Sequence, residues 1–174
     1  MSTRQMRLWI GGPAGAGKST IARLLARRHG TYWYSIDART WSHEDRAVMA
    51  GIHRAGSGPG TYDRIPMIDE DLRGLGPEPV IIEGAIVTPE NVPSLDDAIW
   101  LMPSKEEQLR RLEVRHPEGI HDGFLYGWEI ISQALSSAQT SPRCLTVDGQ
   151  TVDETLSAVE GEFRSLLAGG AAAK

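Results

Sequence analysis

The chain has 174 residues, 40% of them apolar and 24% charged, with a formal net charge of −5. That is the size of one domain with a real core and the composition of a soluble globular protein. The excess of acid argues against nonspecific nucleic-acid binding. No apolar run nears the ~20 residues of a membrane span, and a single cysteine, Cys144, excludes both a disulfide framework and a Cys-rich zinc module.

Met6 to Gly11 reads as a first strand, followed by a helix over Lys18 to Arg28 with Ile21, Leu24 and Leu25 on one face. The apolar stretch Leu8 to Ile10 runs straight into glycines, unlike a signal peptide, so a cytoplasmic location is expected. Thr31 to Ile36 reads as a second strand, with Tyr32, Trp33 and Tyr34 as strand packing. Ser42-His-Glu-Asp45 reads as a cap, opening a helix to about Ala55. The loop Gly56 to Gly60 precedes a short helix over 65–74. Pro79 to Glu83 is a continuous apolar run, as expected of a strand buried on both faces.

Asp97 to Met102 is a fourth strand. Ser104-Lys-Glu-Glu107 forms a capping box for the helix that follows, to about Arg115. Residues 122–138 carry Phe124, Trp128, Ile131, Leu135 and Ala138 at helical spacing, with Trp128 read as core. Arg143 to Val147 is a fifth strand, with Cys144 expected to be an inert core thiol. Thr151-Val-Asp-Glu154 opens a last helix with Val152, Leu156, Val159, Phe163 and Leu166 at helical spacing. Residues 169–174 read as a frayed tail after a single domain over 1–168. Strands alternating with helices predict an α/β protein, a five-stranded parallel sheet with helices on both faces in three layers.

Gly12-Pro-Ala-Gly-Ala-Gly17-Lys18-Ser19 fits the phosphate-loop pattern at every required position. Its glycines let backbone N–H groups converge on phosphate oxygens, and the helix that starts there adds the positive end of its dipole. Gly12, Ala14, Gly15, Ala16, Gly17, Lys18, Ser19 and Thr20 are therefore the candidate nucleotide cradle. Lys18 is expected to reach the β- and γ-phosphates, and the Ser19 hydroxyl to ligate Mg²⁺ of Mg-ATP.

Two acids follow apolar strands, Asp37 and Glu83, at the carboxyl ends of a parallel sheet, where ligands bind. One can hold the Mg²⁺ shell and the other accept a proton from an attacking hydroxyl; the bland alternatives are a helix cap or a loop acid. Arg111 and Arg115 share a helix face and suit a transferring phosphoryl group, against the alternative of a solvated face pairing with nearby Glu. The loop chemistry of 116–123 suits a mobile cover, so 110–123 is expected to be a lid. Asp148 and Gly149 lie in a strand-end turn that either contacts the adenine or is an ordinary connection. Residues 38–75 are the expected acceptor-binding insertion. Within it Trp41 could stack on a ring, and Arg39 or Arg64 hold an anionic acceptor.

The phosphate loop, Ser-Ile-Asp37, Ile-Ile-Glu83-Gly84, the arginine helix and Val-Asp148-Gly149 together resemble the nucleoside-kinase-type branch of the P-loop proteins. That branch includes uridine, shikimate, adenylate and gluconate kinases and chloramphenicol phosphotransferase. The resemblance implies the strand order 2-3-1-4-5 and a short lid. It implies Asp37 as base toward the acceptor hydroxyl, Glu83 in the Mg²⁺ network, and Arg111 and Arg115 on the γ-phosphate. The chain departs from shikimate kinases, which carry a Gly-Gly pair where Glu83-Gly84 stands here. Tyr62-Asp63 is similar to uridine kinases, without their intervening basic pattern. The single-domain size and Asp37 suit the chloramphenicol-phosphotransferase type.

The expected function is a kinase that moves the γ-phosphoryl of ATP to a hydroxyl of a metabolite, nucleoside or antibiotic, with neither nucleic acid nor membrane as partner. A regulatory ATPase or nucleotide switch is the alternative, and it lacks an Asn-Lys-x-Asp guanine-reading motif. A nucleotide-binding protein that has lost its chemistry is a third, against which Lys18, Ser19, Asp37 and Glu83 speak.

Overall fold

The computed structural model describes residues 6–58 and 61–171. Five parallel strands form one sheet in the order 2-3-1-4-5: β1 (Arg7–Gly11), β2 (Tyr32–Ser35), β3 (Val80–Glu83), β4 (Ala98–Met102) and β5 (Cys144–Thr146). Helices α1 (Lys18–His29), α2 (Thr40–Met49), α3 (Ile65–Gly74), α4 (Lys105–Arg115), α5 (Asp122–Ser137), α6 (Val152–Glu162) and α7 (Arg164–Ala171) complete it.

The strands divide their side chains between two cores. Leu8, Ile10, Ile81, Ile99 and Leu101 pack with Ile21 and Leu25 of α1, Leu156 and Val159 of α6 and Leu167 of α7. Trp9, Val80, Ile82, Ala98 and Trp100 face the other way, onto Ile68 and Leu72 of α3 and Ile131 of α5. Apolar residues on both faces are why β3 and β4 lack the alternation of a half-exposed strand. Burial of these side chains, about 1.5–3 kcal/mol for each fully covered Leu or Ile, supplies most of the driving force.

Trp100 is fully buried in the second core and it fixes a sequence choice opposite it. Its indole N–H donates to the Val87 carbonyl at 2.7 Å, and a Cβ on Gly11 would lie 2.3 Å from the ring. Only glycine leaves room for the ring there.

Several boundaries differ from the sequence reading. A 3-10 turn over Asp37–Arg39 leads into α2, so Ser42 lies inside the helix and caps nothing. α2 stops at Met49, because Gly51 takes a left-handed φ of 72°. Ser104 caps α4 through the Glu107 N–H, but the Glu107 carboxylate turns to Arg110 and Arg111, so only half the predicted box forms. The Thr151 box is complete. The last helix breaks at Phe163 into α6 and α7; Leu167 of α7 is in the core, and Val152, the first residue of α6, is exposed. The expected frayed tail is helical through Ala171, and 172–174 lie outside the described residues. Cys144 is exposed rather than core: β5 is the sheet edge, and while Leu145 turns inward, Cys144 faces the open side.

Between β2 and β3 the insertion is held by a buried polar network. The Asp71 carboxylate accepts from the Tyr34 hydroxyl at 2.7 Å, His43 Nε2 at 3.1 Å and Arg46 at 2.6 Å. Arg64 in turn donates to His43 Nδ1 at 3.2 Å and to the Ile36 carbonyl at 2.8 Å. With Nδ1 accepting and Nε2 donating, His43 is the neutral tautomer, and burial lowers its pKa despite the Asp71 hydrogen bond. Burial alone would raise the Asp71 pKa, but the hydrogen bonds from Tyr34, His43 and Arg46 outweigh it and hold the pKa below 3.8. A depressed folded pKa stabilises above the unfolded value and is lost as pH falls through the folded one. Wild-type stability should therefore decline below about pH 4. Asp71→Ala should flatten that decline and cost about 1–3 kcal/mol at neutral pH, since it strands buried donors; urea unfolding at a series of pH values measures both.

Candidate active site

The three strands that end at the phosphate loop set the site. β1 pairs with β3 so that Ile10 lies beside Glu83, and β2 pairs with β3 so that Ser35 lies beside Glu83 on its other side. β1 then runs directly into the glycine loop, which turns at Gly12, Gly15 and Gly17, all at positive φ, before α1 begins at Lys18. The loop thus opens over the carboxyl end of the sheet, with Glu83 beneath it and Asp37 two residues beyond Ser35.

A cleft of about 900 Å³ lies there. Ala14, Gly15, Gly17, Lys18, Ser19 and Thr20 of the phosphate loop and the start of α1 line it, with Arg111 and Arg115 of α4. Asp37, Thr40, Trp41 and Ala85 line it too, as do Gly123, Phe124 and Gly127 of α5.

Lys18 is buried, and its ammonium donates to the Pro13 carbonyl at 2.9 Å, within the loop itself. Burial lowers its pKa, an effect opposed by the carboxylates of Asp37 and Glu83 and reinforced by Arg115. Glu83 is fully buried, and neither carboxylate oxygen has a hydrogen bond of good geometry. Burial raises its pKa, while the nearby hydroxyls of Ser35 and Ser19 and the Lys18 charge favour the anion. A buried carboxylate with two unused acceptors is costly unless something occupies them. Asp37 differs: it is exposed, and both its oxygens accept the Ala85 N–H at 3.1 Å. Gly84 makes that contact feasible, because a Cβ there would lie 2.9 Å from Ile36 Cβ and 3.2 Å from Asp37 Oδ1.

Arg111 lies at a junction. It donates to Glu107 at 2.6 Å, to the Gly15 carbonyl at 3.3 Å and to the Val147 carbonyl at 2.8 Å. It thereby ties α4 to the phosphate loop and to the turn after β5. The guanidinium pair of Arg110 and Arg111 holds Glu107 down to about 2. Arg115 lines the cleft without an ion pair among the described residues. Asp148 lies outside the cleft lining and accepts the Ser104 N–H at 2.7 Å, and Gly149 completes the turn at a φ of 67°.

The insertion does not bring its arginines to the cleft. Arg64 is buried in the Ile36 and His43 contacts. Arg39 lies over the Tyr34 ring, 4.2 Å from its centroid, and reaches the Ser35 carbonyl at 3.3 Å. Neither arginine lines the cleft, and internal acceptors and a ring engage both guanidinium groups. Trp41 alone of that set lines the cleft. Trp128 is half-buried, with its indole N–H on the Pro103 carbonyl at 2.8 Å. Asp71-Leu-Arg-Gly74 has the Asp-x-x-Gly spacing of a nucleotide switch, but it lies within α3 and Asp71 is used by the buried network.

Sequence reasoning missed Gln108, whose buried amide donates to the Ala14 and Phe124 carbonyls, both at 3.0 Å. It braces the phosphate loop against the start of α5. The available signal was a polar residue one helical turn before Leu112, on the buried face of α4. Thr40, Ala85, Phe124 and the Gly123–Gly127 pair carried no motif at all.

Phosphate loop, buried acid and strand order define a P-loop kinase fold, and solved structures bear this out. A gluconokinase from Sinorhizobium meliloti 1021 matches with a TM-score of 0.56 at 18% identity, covering 97% of this chain and 93% of that one. A shikimate kinase from Acinetobacter baumannii matches with a TM-score of 0.60 at 18% identity, covering 93% and 94%. A sugar kinase from Janibacter sp. HTCC2649 matches at 0.65 and 17% identity, covering 95% and 98%. Neither a family model nor a curated protein sequence matches the chain. At these identities the likeness fixes the fold, while the acceptor must be argued from the cleft. No helix among the described residues is long and apolar enough to cross a membrane.

Proposed function

We propose that the chain is an ATP-dependent small-molecule kinase that phosphorylates a hydroxyl group. The observation that carries this reading is a pair of unlike acids at the phosphate loop: a buried Glu83 with unused acceptors near Lys18 and Ser19, behind the cleft, and an exposed Asp37 that lines the cleft itself. A nucleotide switch needs the first. Only a transferase needs the second facing a pocket for a bound hydroxyl.

Mg²⁺ fits the donors present. It is a hard cation that keeps several waters and takes few protein ligands. The Ser19 hydroxyl would hold it, and the orphaned oxygens of Glu83 would accept from its waters. When bound, it would neutralise charge on the β- and γ-phosphates. The loop N–H groups and the α1 dipole bind the triphosphate. Lys18 leaves the Pro13 carbonyl for phosphate oxygens, which offer its buried charge a better partner. Asp37 takes the acceptor proton as the acceptor oxygen bonds to the γ-phosphorus and the bond from that phosphorus to the bridging oxygen breaks, releasing ADP. Arg115 stabilises the equatorial oxygens, and Arg111 holds the loop in place while facing the same charge. Most of the rate enhancement comes from positioning and electrostatics.

Incubation with Mg-ATP and a mixed pool of nucleosides, sugars and hydroxylated antibiotics should give a compound gaining one phosphoryl group by mass spectrometry. ATP consumed with only inorganic phosphate as product, whatever the pool, would instead support the switch or ATPase reading. Inactivation of an antibiotic is one role compatible with this chemistry, and the same screen tests it.

A further inference from the structure

We propose that Gln108 is a positioning residue for ATP: it orients the Gly15 amide toward the phosphates and carries nucleotide occupancy of the loop into α5. This rests on the kinase reading above and names how its nucleotide site is built.

Gln108 is 2% exposed, on the inner face of α4. Its two partners, the Ala14 and Phe124 carbonyls, are both acceptors, each 3.0 Å away. Only the amide nitrogen can face them, and its two hydrogens serve one each. The Ala14 carbonyl and the Gly15 N–H belong to one planar trans peptide, so they point in opposite directions. Holding the oxygen toward Gln108 therefore turns the Gly15 N–H away from it. Gly15 lines the cleft at a φ of 80°, with the conformational freedom of glycine, so the peptide needs a fixed partner to keep its direction. The next peptide is held at both ends, with Arg111 on the Gly15 carbonyl at 3.3 Å and the Ala16 N–H on the Pro13 carbonyl at 3.2 Å. For the Ala14–Gly15 peptide the Gln108 amide is that partner.

The second hydrogen reaches α5. Phe124 lies in its first turn, the ring stacked on His116 with centroids 5.3 Å apart and edge-on to His121 at 6.2 Å. Gly123, Phe124 and Gly127 line the cleft. The Trp128 indole on the Pro103 carbonyl and the Lys105–Glu129 ion pair hold α5 to the start of α4 and the residue pair before it. Gln108 adds the phosphate loop to that connection through one nitrogen atom. A phosphate on the Gly15 N–H fixes the same peptide from its other side, and so stiffens the loop, the amide and the first turn of α5 together. Glutamate has the length of this side chain and, ionised, no donor; methionine has the length and no donor at all.

Titration with Mg-ATP and amide hydrogen exchange, on the wild-type chain, Gln108→Met and Gln108→Glu, test this. Gln108→Met should raise the Kd for Mg-ATP at least about tenfold, the worth of one well-oriented bond to a charged group. At saturating Mg-ATP the wild type should gain exchange protection over residues 122–128, whereas Gln108→Met should gain it in the loop alone. Gln108→Glu should bind as weakly as Gln108→Met at about pH 8, where its carboxylate faces two carbonyl oxygens. By about pH 5.5 protonation supplies an O–H donor, and its affinity relative to wild type should recover several-fold while that of Gln108→Met does not. A misfolded variant could not regain affinity in this way. An unchanged Kd in Gln108→Met, protection of 122–128 that persists in it at saturation, or a Gln108→Glu affinity that tracks Gln108→Met at every pH overturns the assignment and leaves the kinase reading standing. A wild-type chain that binds no Mg-ATP brings down the kinase reading, and this assignment with it.

Discussion

Asp37→Asn should lower kcat for phosphoryl transfer by about 10²–10⁴-fold, the range for loss of a general base, with ATP affinity close to wild type. The substitution is nearly isosteric. Its remaining amide oxygen can still accept the Ala85 N–H, the contact that fixes the carboxylate at 3.1 Å. The bond from the Thr40 hydroxyl to the Asp37 carbonyl is a main-chain contact and survives. So the turn into α2 keeps its shape, and the change is confined to the ability to take a proton. ATP binding rests on the loop, Lys18 and Arg115, none of which bonds to Asp37 directly. Acceptor-dependent product formation and a separate titration with a fluorescent ATP analogue would measure the two properties. A variant that transfers phosphoryl at the wild-type rate would strip Asp37 of the base role. One that loses ATP binding in step with rate would instead make it part of the nucleotide site, acting through its charge on Lys18.

What the sequence makes legible follows from how local each feature is. The phosphate loop can be read directly because its chemistry needs a run of contiguous residues. β1, β3 and β4 can be read because burial on both faces leaves an uninterrupted apolar run. Asp37 and Glu83 can be placed because an acid at the end of such a run has one sheet edge to face. The arginines of the insertion cannot. Whether Arg39 or Arg64 meets a ligand depends on whether Tyr34, Ser35, Ile36 or His43 takes it first, and those partners are set by packing 4 to 28 residues away. Gln108 and Phe124 escape for the same reason, since each acts through a contact between helix and loop that no spacing records. The start of α2 is not legible because the 3-10 turn at Asp37 leads the chain into the helix without the side-chain cap that Ser42 suggests.

Two glycines of the phosphate loop should separate folding from binding. Gly12 has a φ of 135°, and a Cβ on it would lie 2.3 Å from the Leu101 carbonyl oxygen. That oxygen belongs to the backbone of β4, which is bonded to β1 on one side and β5 on the other, so it cannot yield without moving the sheet. Gly12→Ala therefore combines backbone strain of about 1–3 kcal/mol with overpacking of about 1–3 kcal/mol. At roughly 2–4 °C per kcal/mol for a domain of this size, the melting temperature should fall by on the order of 10 °C, with ATP binding lost alongside. Gly17 has a φ of 90°, but a Cβ there would meet nothing within 4 Å. Gly17→Ala should cost only about 1–2 kcal/mol of backbone strain. Its methyl group would nonetheless stand at the N-terminus of α1, where the phosphates must approach the backbone, so ATP affinity should fall at least about 100-fold. Thermal denaturation with and without Mg-ATP gives both quantities for each variant. Gly17→Ala binding ATP like the wild type would move the triphosphate off the head of α1, and with it the reason for Lys18, Ser19 and Glu83 to lie where they do. If Gly17→Ala instead melted as early as Gly12→Ala, its effect on ATP would be a folding defect and would say nothing about where the phosphates sit.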